Sequence, residues 1–120
     1  MEKVSLEAQK KIITTYKVTR SMFIIEHRLL KETGASLVAF QKKAIATFLR
    51  GDCKVNPRLK IRAYTDPDYV RKTVREQIIL TEAENEALEE VAADEKTTKT
   101  VVIFQAMLNF CEMQARLLWG

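Results

Sequence analysis

The sequence predicts a mainly helical fold with a two-stranded β element, built from two copies of one strand-helix-helix unit. Three observations predict it. The stretch from Thr73 to Phe110 reads TVREQIIL, TEAENEALEEVAADEK and TTKTVVIFQAMLNF, one strand pattern followed by two helix patterns. The same order stands upstream as KIITTYKVT, RSMFIIEHRLLKETGA and SLVAFQKKAIATFL. Laying Thr81 on Thr19, an offset of 62, aligns the two without a gap: Leu80 falls on Val18, Val91 on Leu29, Thr98 on Ser36, Ala106 on Ala44, Met107 on Ile45 and Phe110 on Phe48. A strand this short leaves half its backbone groups without partners, so each copy needs the strand of the other. The domain is therefore read as residues 1–120, one intertwined unit: a first copy at 11–50, a connection at 51–72, a second copy at 73–111 and a tail at 112–120.

Each element has a local cause. Residues 1–10, with Val4, Leu6 and Ala8 among polar neighbours, are open between an N-terminal arm and an extra piece of strand. Lys11 to Thr19 is rich in β-branched and aromatic residues, which favour strand. Its alternation puts Thr14, Tyr16 and Val18 on one face and Ile13, Thr15 and Lys17 on the other. Thr19 is an N-cap for the first helix, with Ser21 a later alternative. Met22, Ile25 and Leu29 form that helix's inner stripe, widened by Phe23, Ile24 and Leu30. Gly34 stops it, since glycine takes positive φ without steric cost. Ser36 caps the second helix, whose inner stripe is Phe40, Ala44, Ile45 and Phe48, with Lys42, Lys43 and Arg50 on its polar side.

In the connection, Asn56-Pro57 breaks regular structure. Leu59 to Tyr64 alternates as an extended piece, and Thr65-Asp66-Pro67 reads as a cap opening a helical turn through Tyr69 to Lys72. The second strand puts Glu76, Ile78 and Leu80 on one face, with Arg75, Gln77 and Ile79 on the other. Glu76 is a misfit there, expected to reach solvent near the strand start. Thr81 and Glu84 have capping-box spacing, and Glu82, Glu84 and Glu86 suit the positive end of the helix dipole. Ala87, Leu88 and Val91 form the apolar face. Lys96 stands where the first copy has Gly34, so this turn needs another backbone solution or strain. Thr98 caps the last helix, with Val102, Ala106, Met107 and Phe110 inward. Val101, Ile103, Phe104 and Leu108 make that helix apolar nearly all round, which implies burial on more than one side. The tail from Met113 to Gly120, with Leu117, Leu118 and Trp119, extends the helix and covers part of that surface.

Charge is uneven. Residues 1–60 hold 13 Lys and Arg against 5 Asp and Glu, whereas residues 61–120 hold 7 against 11. A basic first half suits a polyanion. No apolar run approaches the length that spans a bilayer, and the N-terminus lacks the apolar core of a secretory signal, so the expectation is a cytoplasmic, nucleoid-associated protein with no membrane partner. Cys53 and Cys111 are expected to remain thiols. Their spacing suggests neither zinc nor redox work. His27, the sole histidine, is read as a surface or partly buried structural residue. No phosphate-binding glycine loop or nucleophile motif occurs, so the chain is read as non-enzymatic, with no cofactor and no metal.

Strand, cap, helix, turn and second helix resemble the ribbon-helix-helix DNA-binding family of the Arc, MetJ and CopG kind. The residues that carry the resemblance are Gln77-Ile78-Ile79-Leu80-Thr81, Leu88, Val91, Thr98-Lys99-Thr100 and Ala106-Met107. In the first copy they are Tyr16-Lys17-Val18-Thr19, Ile25, Leu29 and Gly34-Ala35-Ser36. Two units in one chain are similar to the arrangement of TraY-type transfer proteins. The resemblance implies an intramolecular pseudo-dimer. Its two strands pair antiparallel into a ribbon that enters the DNA major groove, four helices pack behind, and each second helix meets a phosphate with its N-terminus.

The side chains suit that reading. Tyr16, Val18, Ile78 and Leu80 supply an apolar face for the helices. Thr15, Lys17, Arg75 and Gln77 supply a polar face able to read base edges: Lys and Arg donate to guanine, Gln grips adenine, and Thr serves either role. Ser36 and Thr98 open helices whose free N–H groups form anion sites, and Lys99 adds a cation beside the second. Ile13 and Ile79 interrupt the polar face. Either they touch thymine methyls, or protein covers the ribbon. Two functional classes follow. One is a sequence-specific binder of double-stranded DNA, acting as a repressor or as a plasmid or phage accessory factor. The other is an antitoxin-like or oligomerising interaction module that grips a protein partner, or itself, with Val101 to Leu108.

Overall fold

The computed structural model describes residues 10–120. The stretch left open between arm and strand thus lies outside the described residues, except Lys10. Two strands, β1 (Lys11–Val18) and β2 (Val74–Thr81), form one antiparallel sheet in which Lys11 faces Thr81 and Val18 faces Val74. Four α-helices accompany them: α1 (Arg20–Thr33), α2 (Leu37–Arg50), α3 (Glu82–Asp94) and α4 (Lys99–Trp119). The strand alternation is realised along its length. Thr14, Tyr16, Val18, Glu76, Ile78 and Leu80 are buried beneath the ribbon, while Ile13, Thr15, Lys17, Arg75, Gln77 and Ile79 are exposed above it.

The helix ends follow their capping chemistry. Thr19 accepts a hydrogen bond from the Met22 N–H, Ser36 from Ala39, Thr81 from Glu84 and Thr98 from Val101. Thr81 and Glu84 complete a reciprocal capping box. Gly34 ends α1 in the left-handed region at φ 74°. Lys96 ends α3 in the same region at φ 56°. There the Lys96 N–H bonds to the Ala93 carbonyl and the Thr97 N–H to the Ala92 carbonyl. This is a Schellman closure, made with lysine where glycine is usual. The first turn differs, since the Gly34 N–H bonds to the Leu30 carbonyl alone, and at Lys96 the left-handed strain falls on a side chain.

The core centres on α4, which packs against α1, α2, α3 and β1. Val102, Ile103, Phe104, Ala106 and Met107 are all buried, as expected of a helix that is apolar nearly all round. Phe40 and Phe110 meet edge to face with centroids 4.9 Å apart. The tail continues α4 to Trp119, whose indole N–H donates to Glu32 Oε1 at 2.8 Å beneath the Arg28 guanidinium. Leu117 and Leu118 remain exposed.

Expectations are corrected in three places. In α1, Ile24 and Ile25 are exposed, and Glu26 joins Met22 and Leu29 on the buried face. The four-residue step from Met22 to Glu26 and the three-residue step to Leu29 define the stripe, and Ile25 falls to its side. Glu76 does not reach solvent. It is buried, because the ribbon's inner face is covered by helices at that position too. In the connection, Asn56 and Pro57 start a 3-10 helix, Pro57–Lys60, with Asn56 as cap and proline in the first turn. Asp66, not Thr65, makes the side-chain turn by accepting from the Asp68 N–H at 2.8 Å. Tyr69 to Lys72 forms no helical turn, since the chain there is already approaching β2, with the Thr73 N–H bonded to the Val18 carbonyl.

The connection is held to the second half by two side chains. Glu95 accepts from the Val55 N–H at 2.8 Å and faces Lys60 Nζ at 3.3 Å, and Gln105 Oε1 accepts from the Asn56 N–H at 2.8 Å. The Val55 N–H, then the nearby lysines, hold the Glu95 carboxyl below its ordinary value.

Two outcomes are expected. Lys96→Gly relieves a left-handed side chain costing roughly 1–2 kcal/mol, less glycine's entropic penalty of about 0.5–1 kcal/mol, so denaturant unfolding should show a net gain of roughly 0.5–1 kcal/mol. A loss of stability would show that Lys96 is held there by contacts of its own. The second concerns acid. A carboxyl whose folded value is depressed stabilises the fold above its unfolded value and loses that contribution as pH falls through the folded one. Thermal unfolding followed downward through the carboxylate range should therefore fall more steeply in the wild type than in Glu95→Gln, and parallel curves would count against this tie.

Candidate nucleic-acid interface

The outward face of the ribbon is laid out by the strand register. Lys11 stands opposite Thr81, Ile13 opposite Ile79, Thr15 opposite Gln77 and Lys17 opposite Arg75. Directly opposed side chains have Cβ atoms about 4.5–5.5 Å apart, so Thr15, Lys17, Arg75 and Gln77 form one compact polar patch. All four are exposed. Ile13 and Ile79 lie beside them at 65% and 38% exposure, so no described part of the chain covers this face.

Lys17 opposite Arg75 is an unfavourable pairing. Like charges directly across a ribbon destabilise it by a few tenths of a kcal/mol, up to ~1 kcal/mol. A third cation joins them: Thr15, Tyr16, Lys17, Lys72, Arg75 and Thr100 line one cleft of about 440 Å³. Lys72 lies against the Phe104 ring at 5.2 Å, and burial pushes its ammonium below the usual lysine value. Among the described residues no carboxylate lines this cleft, and none of these three cations has a salt-bridge partner. Lys72 and Thr100 were not singled out from the sequence. Lys72 precedes the second strand and lines the same cleft as Arg75, three residues further on.

The helix starts lie where the caps put them. Ser36 is exposed at the head of α2 and Thr98 at the head of α4. Thr98 also lines a second cleft with Lys60, Arg62 and Lys72, so the α4 N-terminus has basic side chains around it. Lys99 is more committed than expected: its ammonium donates to Asn85 Oδ1 at 2.6 Å and lies 3.8 Å from Glu89. An ammonium has three donors, so this engagement does not exhaust it. The acidic residues of α3 are otherwise solvated, except that Glu84 pairs with Lys42 at 2.9 Å.

Beneath the ribbon lies a polar cluster that sequence reasoning did not assemble. The Tyr16 hydroxyl donates to Glu76 Oε1 at 2.7 Å. Gln41 Nε2 donates to the Tyr16 hydroxyl and to the Gln77 carbonyl, both at 2.9 Å. Glu26 lies beside them with no exposed surface, and His27 Nε2 is 3.5 Å from Glu26 Oε1 and 3.9 Å from Glu76 Oε2. Burial, then the adjacent Glu76, raises the Glu26 carboxyl well above the carboxylate range, and burial with the Glu76 charge raises Tyr16. The Cys111 thiol is pushed up to about 12 by burial and the same two carboxyls. Cys53 and Cys111 are both free thiols. The sequence signal for the cluster was Glu76, a carboxylate on an otherwise apolar strand face.

No helix is long and apolar enough to cross a membrane among the described residues. In comparisons with protein-family models, curated proteins and solved structures, nothing matches this chain.

Proposed function

We propose that this chain is a sequence-specific binder of double-stranded DNA, a non-enzymatic repressor or plasmid or phage accessory factor working at the nucleoid. The observation that carries this reading is a ribbon face that no described residue covers. There Lys17 stands opposite Arg75, with Lys72 in the same cleft and no carboxylate among the described residues to neutralise them. A like-charge pair kept on an exposed ribbon is explained by an anion that lies over it. A two-stranded ribbon fits a major groove about 12 Å wide, and Arg75, Lys17, Gln77 and Thr15 have the donors and acceptors to read base edges there. Phosphates on either side would meet the heads of α2 and α4, at Ser36, Thr98 and Lys99. Ile13 and Ile79 would lie against thymine methyls.

In this reading the chain is a tandem ribbon-helix-helix pseudo-dimer. Supporting it, the cap pairs Thr19 and Thr81, and Ser36 and Thr98, keep the sequence offset, and Thr15 is paired with Gln77, its own counterpart across the repeat. A pseudo-two-fold axis would pass through that pair. Because the two strands differ in sequence, one chain would prefer an asymmetric site. The rival reading, a partner gripped by Val101 to Leu108, has less support, since Val102 to Met107 are spent on the core.

Selection from randomised duplexes should return a defined motif for the wild type. Arg75→Ala should cost about 1–3 kcal/mol and relax the motif at one or two base pairs. Lys99→Ala should weaken binding to all sequences alike, since phosphate carries no code. The log–log dependence of affinity on salt should have a slope of about −0.9 per phosphate neutralised. A motif unchanged by Arg75→Ala while binding persists would remove the ribbon as the reading element, and measurable binding with a flat salt response would remove the phosphate contacts.

A further inference from the structure

The geometry points to a divalent-cation site formed by Glu26, His27 and Glu76 beneath the ribbon, suited to a zinc-class ion that takes mixed nitrogen and oxygen ligands. One donor atom from each residue lies within 4.8 Å of the other two. His27 Nε2 is 3.5 Å from Glu26 Oε1 and 3.9 Å from Glu76 Oε2. A tetrahedral ion about 2.0–2.2 Å from each ligand holds neighbouring donors about 3.3–3.6 Å apart. The octahedral geometry of magnesium would need them about 3 Å apart, and it favours oxygen over imidazole. The two separations from His27 are thus within about 0.3 Å of the tetrahedral spacing, and the two carboxylates lie within 4.8 Å of each other.

A second, independent observation concerns the oxygens themselves. Glu26 Oε1 and Oε2 and Glu76 Oε2 are buried, and among the described residues they have no hydrogen-bond partner other than each other's carboxyl. The side chains of Glu26 and Glu76 are 0% and 3% exposed. Two neighbouring carboxyls in that setting, with no lysine or arginine in salt-bridge reach among the described residues, are costly unless a cation or proton joins them. The rest of the cluster behaves as the outer shell of such a site. Tyr16 holds Glu76 Oε1, which leaves Oε2 to face His27, and Gln41 fixes Tyr16. The Phe23 ring packs on the imidazole, centroids 4.1 Å apart. His27 is 45% exposed, which gives an ion an entry path and leaves water room in the fourth position.

The fold does not require this polarity. Sixty-two residues on from Glu26, Tyr16 and Gln41 stand Leu88, Ile78 and Ile103, and these are equally buried hydrocarbon. The same packing thus closes with apolar side chains at the corresponding places, and the buried Glu26 carboxylate calls for a role of its own.

The test uses the full chain, stripped with chelator, titrated with Zn²⁺ alone by calorimetry and with Co²⁺ by visible absorption. One ion per chain, a cobalt spectrum of tetrahedral intensity, a raised melting temperature with zinc and no response to Mg²⁺ are expected. His27→Ala and Glu26→Leu should each weaken zinc by about 100-fold or more, beyond the 10–100-fold typical of losing an outer-shell partner. Glu26→Leu copies the Leu88 arrangement; should it fail to fold, His27→Ala, on a half-exposed side chain, decides alone. Absence of saturable zinc binding would overturn the site in favour of a proton shared by the two carboxyls. Zinc binding unchanged in His27→Ala would overturn it in favour of ligands elsewhere, such as Cys53.

Discussion

The pairing of β1 with β2 is the constraint on which everything else depends. Among the described residues each strand has the other as its sole hydrogen-bonded neighbour in the sheet, and residues 19–73 lie between them. Until they meet, neither half has a surface on which to seat its helices. Once they meet, the alternation of side chains settles two things together: which residues seal the core and which face outward. A slip of one residue would exchange those faces, burying Lys17 and Arg75 and exposing Tyr16 and Ile78. The buried inner face is therefore what fixes the outer patch in place.

The helices divide the remaining work unequally. α4 is the central post, buried along most of its length, and the other three helices lie against it. α3 carries the acidic charge and reaches the rest of the chain through Glu84, Lys99 and the Glu95 clasp on the connection. Basic residues gather instead around the ribbon end and the head of α4. The connection matters for more than length, since its last residues bring Lys72 to the cleft that Lys17 and Arg75 also line.

What the sequence made legible is what local rules decide. The four caps, the turn at Gly34, the strand faces and the inner stripes of α2 and α4 depend on near neighbours and periodicity, and all are present. The outer patch was legible for the same reason, because alternation alone puts Thr15, Lys17, Arg75 and Gln77 on one face. What was not legible depends on how elements rotate and meet. Whether Ile25 or Glu26 turns inward is decided by how α1 sits on the ribbon, and both belong to plausible stripes. Glu76 looked solvent-bound because a carboxylate on an apolar face is costly; only the approach of Tyr16, Gln41 and His27 gives it neighbours. In the connection, Asn56-Pro57 reads locally as a break, yet the same two residues can cap and start a helical turn.

Trp119 is the chain's one tryptophan, and it sits where the last helix touches the first, bonded to Glu32 and stacked with Arg28. The core itself contains no indole. Intrinsic fluorescence of this protein therefore reports chiefly on that peripheral latch, not on the packing around α4. Undocking of the C-terminal turn would change the emission while backbone circular dichroism stayed nearly constant, so the two signals read different events in the same molecule.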